Sequence, residues 1–480
     1  MNIQVPEKVN RIIETLMAHG YEAYAVGGCV RDSLLGREAD DWDITTSASP
    51  YEVKKLFRRT IDTGIQHGTV TVMLDKEGFE VTTYRIDGEY EDGRHPKEVQ
   101  FTKNLEEDLK RRDFTINAMA YNEQTGMVDV FGGVEDLKNK IIRCVGVVGE
   151  RFDEDALRIM RAFRFSAQLG FSIEENTRIA AAERADNLKK ISAERIRTEL
   201  TKLLLSKNPD RLLMMQQNGI TNIVLPEFDA MLHTEQKNKN HQYNVGEHTL
   251  HVLEYAGNAD RQKRYLREII PDFPEETVLS QRIWSKKELQ MLRYAALLHD
   301  TAKPEVQILD GNGEHRFPNH AAIGAGKAKE IMRRLKFDNE TTDYVVRLVG
   351  AHSVYLALGG SREENLAAMR RMMYQLGPDL MELLWELQLA DVLSQHPASL
   401  RIKLETLAES KRLHKEVLER EDCVSLKQLA VNGKDLISLG VQPGKQIGEV
   451  LEQLLEQVLD NPSLNTQEKL MRLVKQFTVR

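Results

Sequence analysis

The chain has 480 residues, 41% of them hydrophobic and 29% charged, with a formal net charge of −8. That length accommodates about three domains, and no stretch approaches the ~20 apolar residues of a helical membrane span. Three widely spaced cysteines, Cys29, Cys144 and Cys423, argue for a reducing cytoplasm and against a disulfide or zinc–thiolate framework, and the acidic balance speaks against nucleic acid unless basic residues gather on one face.

In chain order, "MNIQVPEKVNRIIETL" reads as the start of an amphipathic helix and not as a signal peptide. "YEAYAV" reads as a strand, and "VRDSLLG" as a helix ending at Gly36, with Gly27 and Gly28 between them. Such a junction offers bare backbone N–H groups and a helix N-terminus to an anion. Arg31 stands one turn into the helix, placed to pair with phosphate. "DWDITT" then reads as a strand, on which Asp41 and Asp43 share a face. Two ionised carboxylates this close repel unless a cation sits between them. Oxygen ligands with phosphates completing the shell suit Mg²⁺.

"TVTVMLDKEGFEVTTYR" reads as a β-hairpin with its turn at Lys76–Gly78. "IDGEYEDGRHP", residues 86–96, lacks apolar periodicity and reads as a mobile loop. In "EEDLKRRDFTINAMAYN", Arg112 and Asp113 read as the start of a helix, with Asn117 four residues on. Such a cluster suits either a helix cap or contacts to phosphate and ribose. "KIIRCVGV" reads as one more strand. From about residue 150, helical periodicity dominates: "RFDEDALRIMRAFRFSAQLGF" and "SAERIRTELTKLLLS", the latter with Ser192 as N-cap, read as amphipathic helices. The polar stretch "HTEQKNKNHQYNVGEH" reads as a domain boundary, and a last unit begins near residue 400.

The helix "EDALRIMRAFR" carries Arg158, Arg161 and Arg164 on one stripe, with Asp155 on the same side. Three arginines with one acidic partner are undercompensated. Cytosine and adenine each present an amino donor beside a ring-nitrogen acceptor; uracil and guanine present the reverse. Asp155 accepting and Arg158 donating therefore match C and A. The wrong bases leave buried polar groups unpaired, at about 1–3 kcal/mol each.

"VGGCVRD" with "DWD", "RRDFTINAMA", "DVFGGVEDL", "EDALRIMRAFRFSAQLGF" and "ERIRTELTKLL" resemble the ordered motifs of class II tRNA nucleotidyltransferases, the CCA-adding enzyme and poly(A) polymerase family. The resemblance implies an α/β head, DNA polymerase beta-like with a mixed sheet and helices (residues 1–145), followed by an all-α neck (146–228), body (229–398) and tail (399–480). It implies addition of C, C and A to tRNA from CTP and ATP by two-metal transfer. Asp41 and Asp43 are then the catalytic metal ligands, with Glu80 a candidate third carboxylate. Gly28, Arg31, Arg112, Asp155, Arg158, Arg161 and Arg164 contact nucleotide. The loop around Arg94 is implied to act as a lever in the switch from C to A.

"LLHDTAKP" places His299 beside Asp300. With His248 and Asp391 it resembles the HD superfamily of metal-dependent phosphohydrolases. Mixed N/O ligation suits Mn²⁺, Ni²⁺ or Mg²⁺, and His320 and His352 are further candidate ligands. Three alternatives stay open: a poly(A) polymerase or a CC-adding enzyme of the same family, or an HD phosphohydrolase acting on RNA ends.

Overall fold

The computed structural model describes residues 3–39, 41–88, 99–236 and 242–478, and these divide into two compact units, Met1–Pro226 and Glu227–Arg480. The strands of the first unit include β1 (Ala23–Val26), β2 (Ile44–Thr46), β3 (Thr60–Gly64), β4 (Thr69–Leu74), β5 (Glu77–Thr83), β6 (Arg85–Asp87), β7 (Val99–Phe101), β8 (Ala120–Asn122) and β9 (Gly126–Val128). Seven of them form one mixed sheet in the order β3-β4-β5-β2-β1-β8-β9, with only β2 and β5 parallel. β6 and β7 pair with each other apart from it.

The helices of this unit include α1 (Glu7–Ala18), α2 (Gly28–Leu34), α3 (Pro50–Leu56), α4 (Leu105–Lys110), α5 (Gly133–Asn139), α6 (Val148–Glu154), α7 (Leu157–Leu169), α8 (Glu175–Glu183) and α9 (Ala193–Leu204). α1 buries Val9, Ile12, Ile13 and Leu16, a single helical stripe. α3 starts at a capping box between Ser49 and Glu52, with Pro50 in its first turn. β4 alternates, burying Val70 and Val72 completely.

Several elements differ from the sequence reading. The strand of "DWDITT" begins only at Ile44. Ala25 pairs with Ile44, so Trp42 would lie opposite Gly27, where β1 has already turned away at φ 84°. Asp41 and Asp43 therefore precede the strand, and the last ladder bond runs from the Val26 N–H to the Asp43 carbonyl. The hairpin turn is Asp75–Lys76, both with positive φ, because a tight two-residue turn must match the twist of its strands. "KIIRCVGV" shrinks to a two-residue strand, Ile141–Ile142.

Arg112 and Asp113 do not start a helix. They link α4 to a single 3₁₀ turn, Thr115–Asn117. The helix expected through "RFDEDALRIM" is broken: α6 ends at Glu154, and Asp155 is extended (φ −140°, ψ 100°). The Asp155 carboxylate accepts the Leu157 N–H at 3.0 Å, a local bond that competes with helical continuation. Asp155 thus stands before α7 rather than on its stripe. Ser192 sits at the N-cap of α9, but its side chain makes no capping bond.

The second unit is helical. Its longest helix, Pro397–Glu419, contains Ser399 in its first turns, and the residues from Cys423 to Val474 gather a core of their own around Leu436, Leu454, Val458 and Leu470. The expected boundary stretch, residues 233–248, lies inside this unit, past the division at Pro226.

Candidate active site

Asp41 and Asp43 face a cavity of about 1250 Å³ whose lining includes Trp42, Glu77, Glu80, Lys8 and Arg37. Both carboxylates open to solvent on one side. The protein packed around the rest of Asp43 strips hydration and raises its carboxyl above the ordinary range; Arg112 opposes the shift and the Asp41 charge reinforces it. Glu80, on β5, is raised by burial and then by Asp43 and Asp41. Asp41, Asp43 and Glu80 form an oxygen-only donor set that fits a hard divalent cation.

Gly28, Arg31 and Arg112 are not in the lining of that cavity; Arg112 joins the carboxylates through its interaction with Asp43. Gly27 caps α2, and a Cβ there would lie 2.9 Å from Arg112 Nη1, so glycine is what lets the guanidinium approach the strand–helix junction. Arg112 Nε has no hydrogen-bond partner among the described residues, and its nearest carboxylate, the fully buried Asp108, is 3.8 Å away. Arg31 donates to Asp32 (3.0 and 2.7 Å) and to Asn117 Oδ1 (2.7 Å).

The arginine stripe of α7 is fully partnered, which corrects the expectation that it lacks countercharge. Arg158 pairs with Glu154 (2.9 Å), Arg161 with Asp113 (2.5 Å) and Arg164 with Glu199 (2.5 Å). Arg158 also donates to the Arg111 carbonyl (2.9 Å), and Asp155 is held by Arg195 (2.7 Å) rather than by Arg158. The guanidinium carbons of Arg164, Arg31 and Arg161 lie 3.7, 5.0 and 5.4 Å from the centre of the buried Phe165 ring. Asp113 also accepts from Asn117 (3.0 Å) and the Phe114 N–H (2.8 Å). Burial pushes Asp113 up, but Arg161 and these donors hold it well below the usual carboxylate range.

In the second unit, His248, on the helix Val245–Tyr255, meets His299 and Asp300, which follow the helix Lys286–Leu298. His248 Nε2 is 3.0 Å from Asp391 and 3.4 Å from His299 Nε2. His248, His299, Asp300 and Asp391 are all buried. Lys303 reaches Asp300 Oδ2 at 2.6 Å and Gln236 at 2.9 Å. His320 and His352 join the cluster, their Nε2 atoms 3.3 Å apart.

A family model described as the poly(A) polymerase head domain matches residues 23–143, and one described as a probable RNA-binding site of polymerase A matches 170–232. An HD domain model matches 245–394, and one for tRNA nucleotidyltransferase domain 2 matches 320–474. The CCA-adding enzyme of Lactiplantibacillus plantarum is 55% identical over 198 residues, 41% of this chain and 49% of that protein. That of Leuconostoc mesenteroides is 45% identical over 258 residues, 53% of this chain and 64% of the relative. The aligned stretch thus spans about half the length of the first relative. The structure of the Bacillus stearothermophilus CCA-adding enzyme in complex with CTP aligns over 99% of this chain and 98% of its own, with a TM-score of 0.68 at 27% identity. The chain is similar to the tRNA nucleotidyltransferase and poly(A) polymerase family from residue 23 to residue 474.

The fold brings Asp41, Asp43 and Glu80 to one cavity, and Arg31 and Arg161 to the Phe165 ring. It keeps Asp155 and Arg158 on separate partners. Arg94 lies outside the described residues. Sequence reasoning missed Asp108, although Arg111 and Arg112 stand three and four residues on, and it missed Glu199 and Arg195, whose partners Arg164 and Asp155 are distant in the chain and leave no local pattern. Among the described residues, no helix is long and apolar enough to cross a membrane.

Proposed function

We propose that this protein adds C, C and A to the 3′ end of tRNA, taking CTP and ATP as substrates in the cytoplasm. The observation that carries the reading is the convergence of Asp41, Asp43 and Glu80 in one cavity beside Arg112 and the Gly27–Gly28 junction, in a chain similar to this family. The relative solved in complex with CTP supports the nucleotide. We assign residues 1–145 to the catalytic head, 146–228 to the neck, 229–398 to the body and 399–480 to the tail.

Asp41 and Asp43 would hold the divalent cation, Mg²⁺ in our reading, which when bound would supply charge neutralisation at the phosphates and acidification of the 3′-hydroxyl. Arg112 and Arg31 hold triphosphate oxygens, and the backbone of Gly27 and Gly28 lets those oxygens approach. Arg161 and Arg164 fix the neck beside them. Asp155 reads the base amino group and Arg158 the adjacent ring nitrogen. The Asp155 carboxylate offers about four acceptor positions, and Leu157 and Arg195 use two. An acidic chain still binds tRNA, because RNA helices are recognised largely through backbone and shape on one face. The test is divalent-dependent incorporation of labelled CTP into tRNA lacking its last three nucleotides. No incorporation by folded protein would overturn the reading.

A second reading is favoured by the His248–His299–Asp300–Asp391 cluster: an HD-type site holding a divalent cation such as Mn²⁺, Ni²⁺ or Mg²⁺. Four buried N/O ligands from three distant segments converge there. Cation uptake that His299→Ala abolishes is its check.

A further inference from the structure

His414 stands on the helix Pro397–Glu419 of the second unit and is only 4% exposed. The indole N–H of the buried Trp385, on the helix Met381–Leu393, donates to its Nδ1 at 3.2 Å. An indole N–H only donates, so Nδ1 accepts and the neutral ring carries its proton on Nε2. Burial pushes the imidazole below its ordinary range, which keeps the ring neutral. Nε2 has no hydrogen-bond partner among the described residues. A buried donor in that state is costly unless something outside the chain supplies the acceptor.

His414 lines a cavity of about 730 Å³, room enough for a small organic molecule. Phe273, Pro274, Ala408 and Leu418 give the cavity apolar walls. Trp385 holds the Nδ1 edge of the imidazole, so the Nε2 edge is the one left to the cavity.

The charged groups of the lining differ in what the chain already gives them. Arg401 is held by Asp272 (2.6 and 2.7 Å), Arg412 by Glu409 (2.7 and 2.6 Å) and Lys415 by Glu419 (3.6 Å). Lys411 donates to the Val278 carbonyl at 2.6 Å. Glu382 is different: its side chain is 40% exposed, and it lies 3.7 Å from His414 Nδ1, a nitrogen with no proton to give. The cavity thus offers one buried N–H donor with a carboxylate acceptor beside it. The complement is a flat apolar body carrying an acceptor next to an amino group. An organic anion fits poorly, because the arginines are already neutralised and Glu382 repels it.

We propose that this cavity binds a small, uncharged, amino-substituted heteroaromatic molecule, whose ring nitrogen accepts from His414 Nε2 and whose amino group donates to Glu382. The proposal stands apart from the nucleotidyl-transfer reading and from the histidine–aspartate cluster.

The test uses the full chain carrying Trp42→Phe and Trp284→Phe, which leaves Trp385 as its single tryptophan. Its emission reports on the His414 ring and not on the head. Adenine is the probe, and purine, which lacks the amino group, is the comparison. A saturable change in emission is expected, with adenine binding about five- to a hundredfold tighter than purine, the equivalent of one unpaired polar group. His414→Asn keeps an acceptor for Trp385 and removes the Nε2 donor; it is expected to weaken adenine by a similar factor. His414→Gln restores an N–H near the Nε2 position and is expected to recover binding. Glu382→Ala, at a partly exposed position that the fold tolerates, is expected to bring adenine to the level of purine. No response to adenine, equal binding of adenine and purine, or unchanged adenine binding in either Glu382→Ala or a folded His414→Asn chain would overturn the proposal. So would a response to benzoate or to tRNA without one to adenine.

Discussion

Arg161 on α7 donates to Asp113, which precedes the 3₁₀ turn Thr115–Asn117, through Nε at 2.8 Å and Nη2 at 2.5 Å. This pair joins the turn that carries Asn117, a partner of Arg31, to the helix that carries Arg158 and Arg164. Arg161→Ala leaves the Asp113 carboxylate buried with only the Asn117 amide and the Phe114 N–H. Breaking a fully buried pair costs about 3–5 kcal/mol; the Arg161 side chain is one-third exposed, so about 2–3 kcal/mol is expected. Denaturant melts of the two proteins give the value.

The same pair sets a pH dependence. Asp113 is held below its ordinary range, so its contribution is fully present above its unfolded value of about 3.9 and is lost as pH falls through the folded value. The stability gap between the native chain and Asp113→Asn is therefore expected to be constant near neutrality and to close below about pH 4. Melts from pH 3 to 8 check this; a gap that widens on acidification contradicts it.

Asp43 has the opposite sign. Its carboxyl is raised in the folded chain, so its ionisation opposes folding once pH exceeds the unfolded value. Without divalent cation, Asp43→Asn is expected to melt higher than the native chain at pH 7 and equally at pH 3. The same substitution is expected to lower incorporation of both C and A at least about a hundredfold. A melting temperature lowered at pH 7, or near-native incorporation, contradicts the metal assignment.

Asp155→Ala and Arg158→Ala are expected to raise UTP and GTP use relative to CTP and ATP by about five- to hundredfold, the equivalent of one unpaired polar group. Competition assays with mixed nucleotides measure it. Arg195→Ala removes the group holding Asp155 Oδ2 and is expected to slow incorporation through KM with little change in kcat. Unchanged discrimination in both neck variants would place base choice elsewhere.

Gly27→Ala puts a methyl 2.9 Å from Arg112 Nη1 at a residue with φ 84°. The left-handed backbone alone costs about 1–2 kcal/mol, and a displaced Arg112 is expected to raise KM for both nucleotides together. A change confined to one nucleotide contradicts the shared phosphate role.

The strand–Gly-Gly–helix junction and the β4–β5 hairpin are legible in the sequence, because both are short-range patterns of turn and β-branched residues. The register at Asp43 was not, since it depends on where β1 turns away at Gly27. The break before α7 hides inside an unbroken amphipathic pattern, because Asp155 takes a local bond to Leu157 that composition does not reveal. The partners of the arginine stripe were illegible for a different reason: Asp113 lies 48 residues from Arg161, and Arg195 lies 40 from Asp155. His299 and Asp300 announce themselves as neighbours, whereas His320 and His352, 32 residues apart, meet only in the folded chain.

The most direct test of the account supplies tRNA ending before the CCA, after the first C and after the second C, each with all four nucleotides and Mg²⁺, and sequences the products. The account predicts that all three finish as CCA and stop there, with no product from the Asp41→Asn/Asp43→Asn chain. Runs of A, a stop at CC, or equal incorporation of all four nucleotides would contradict it.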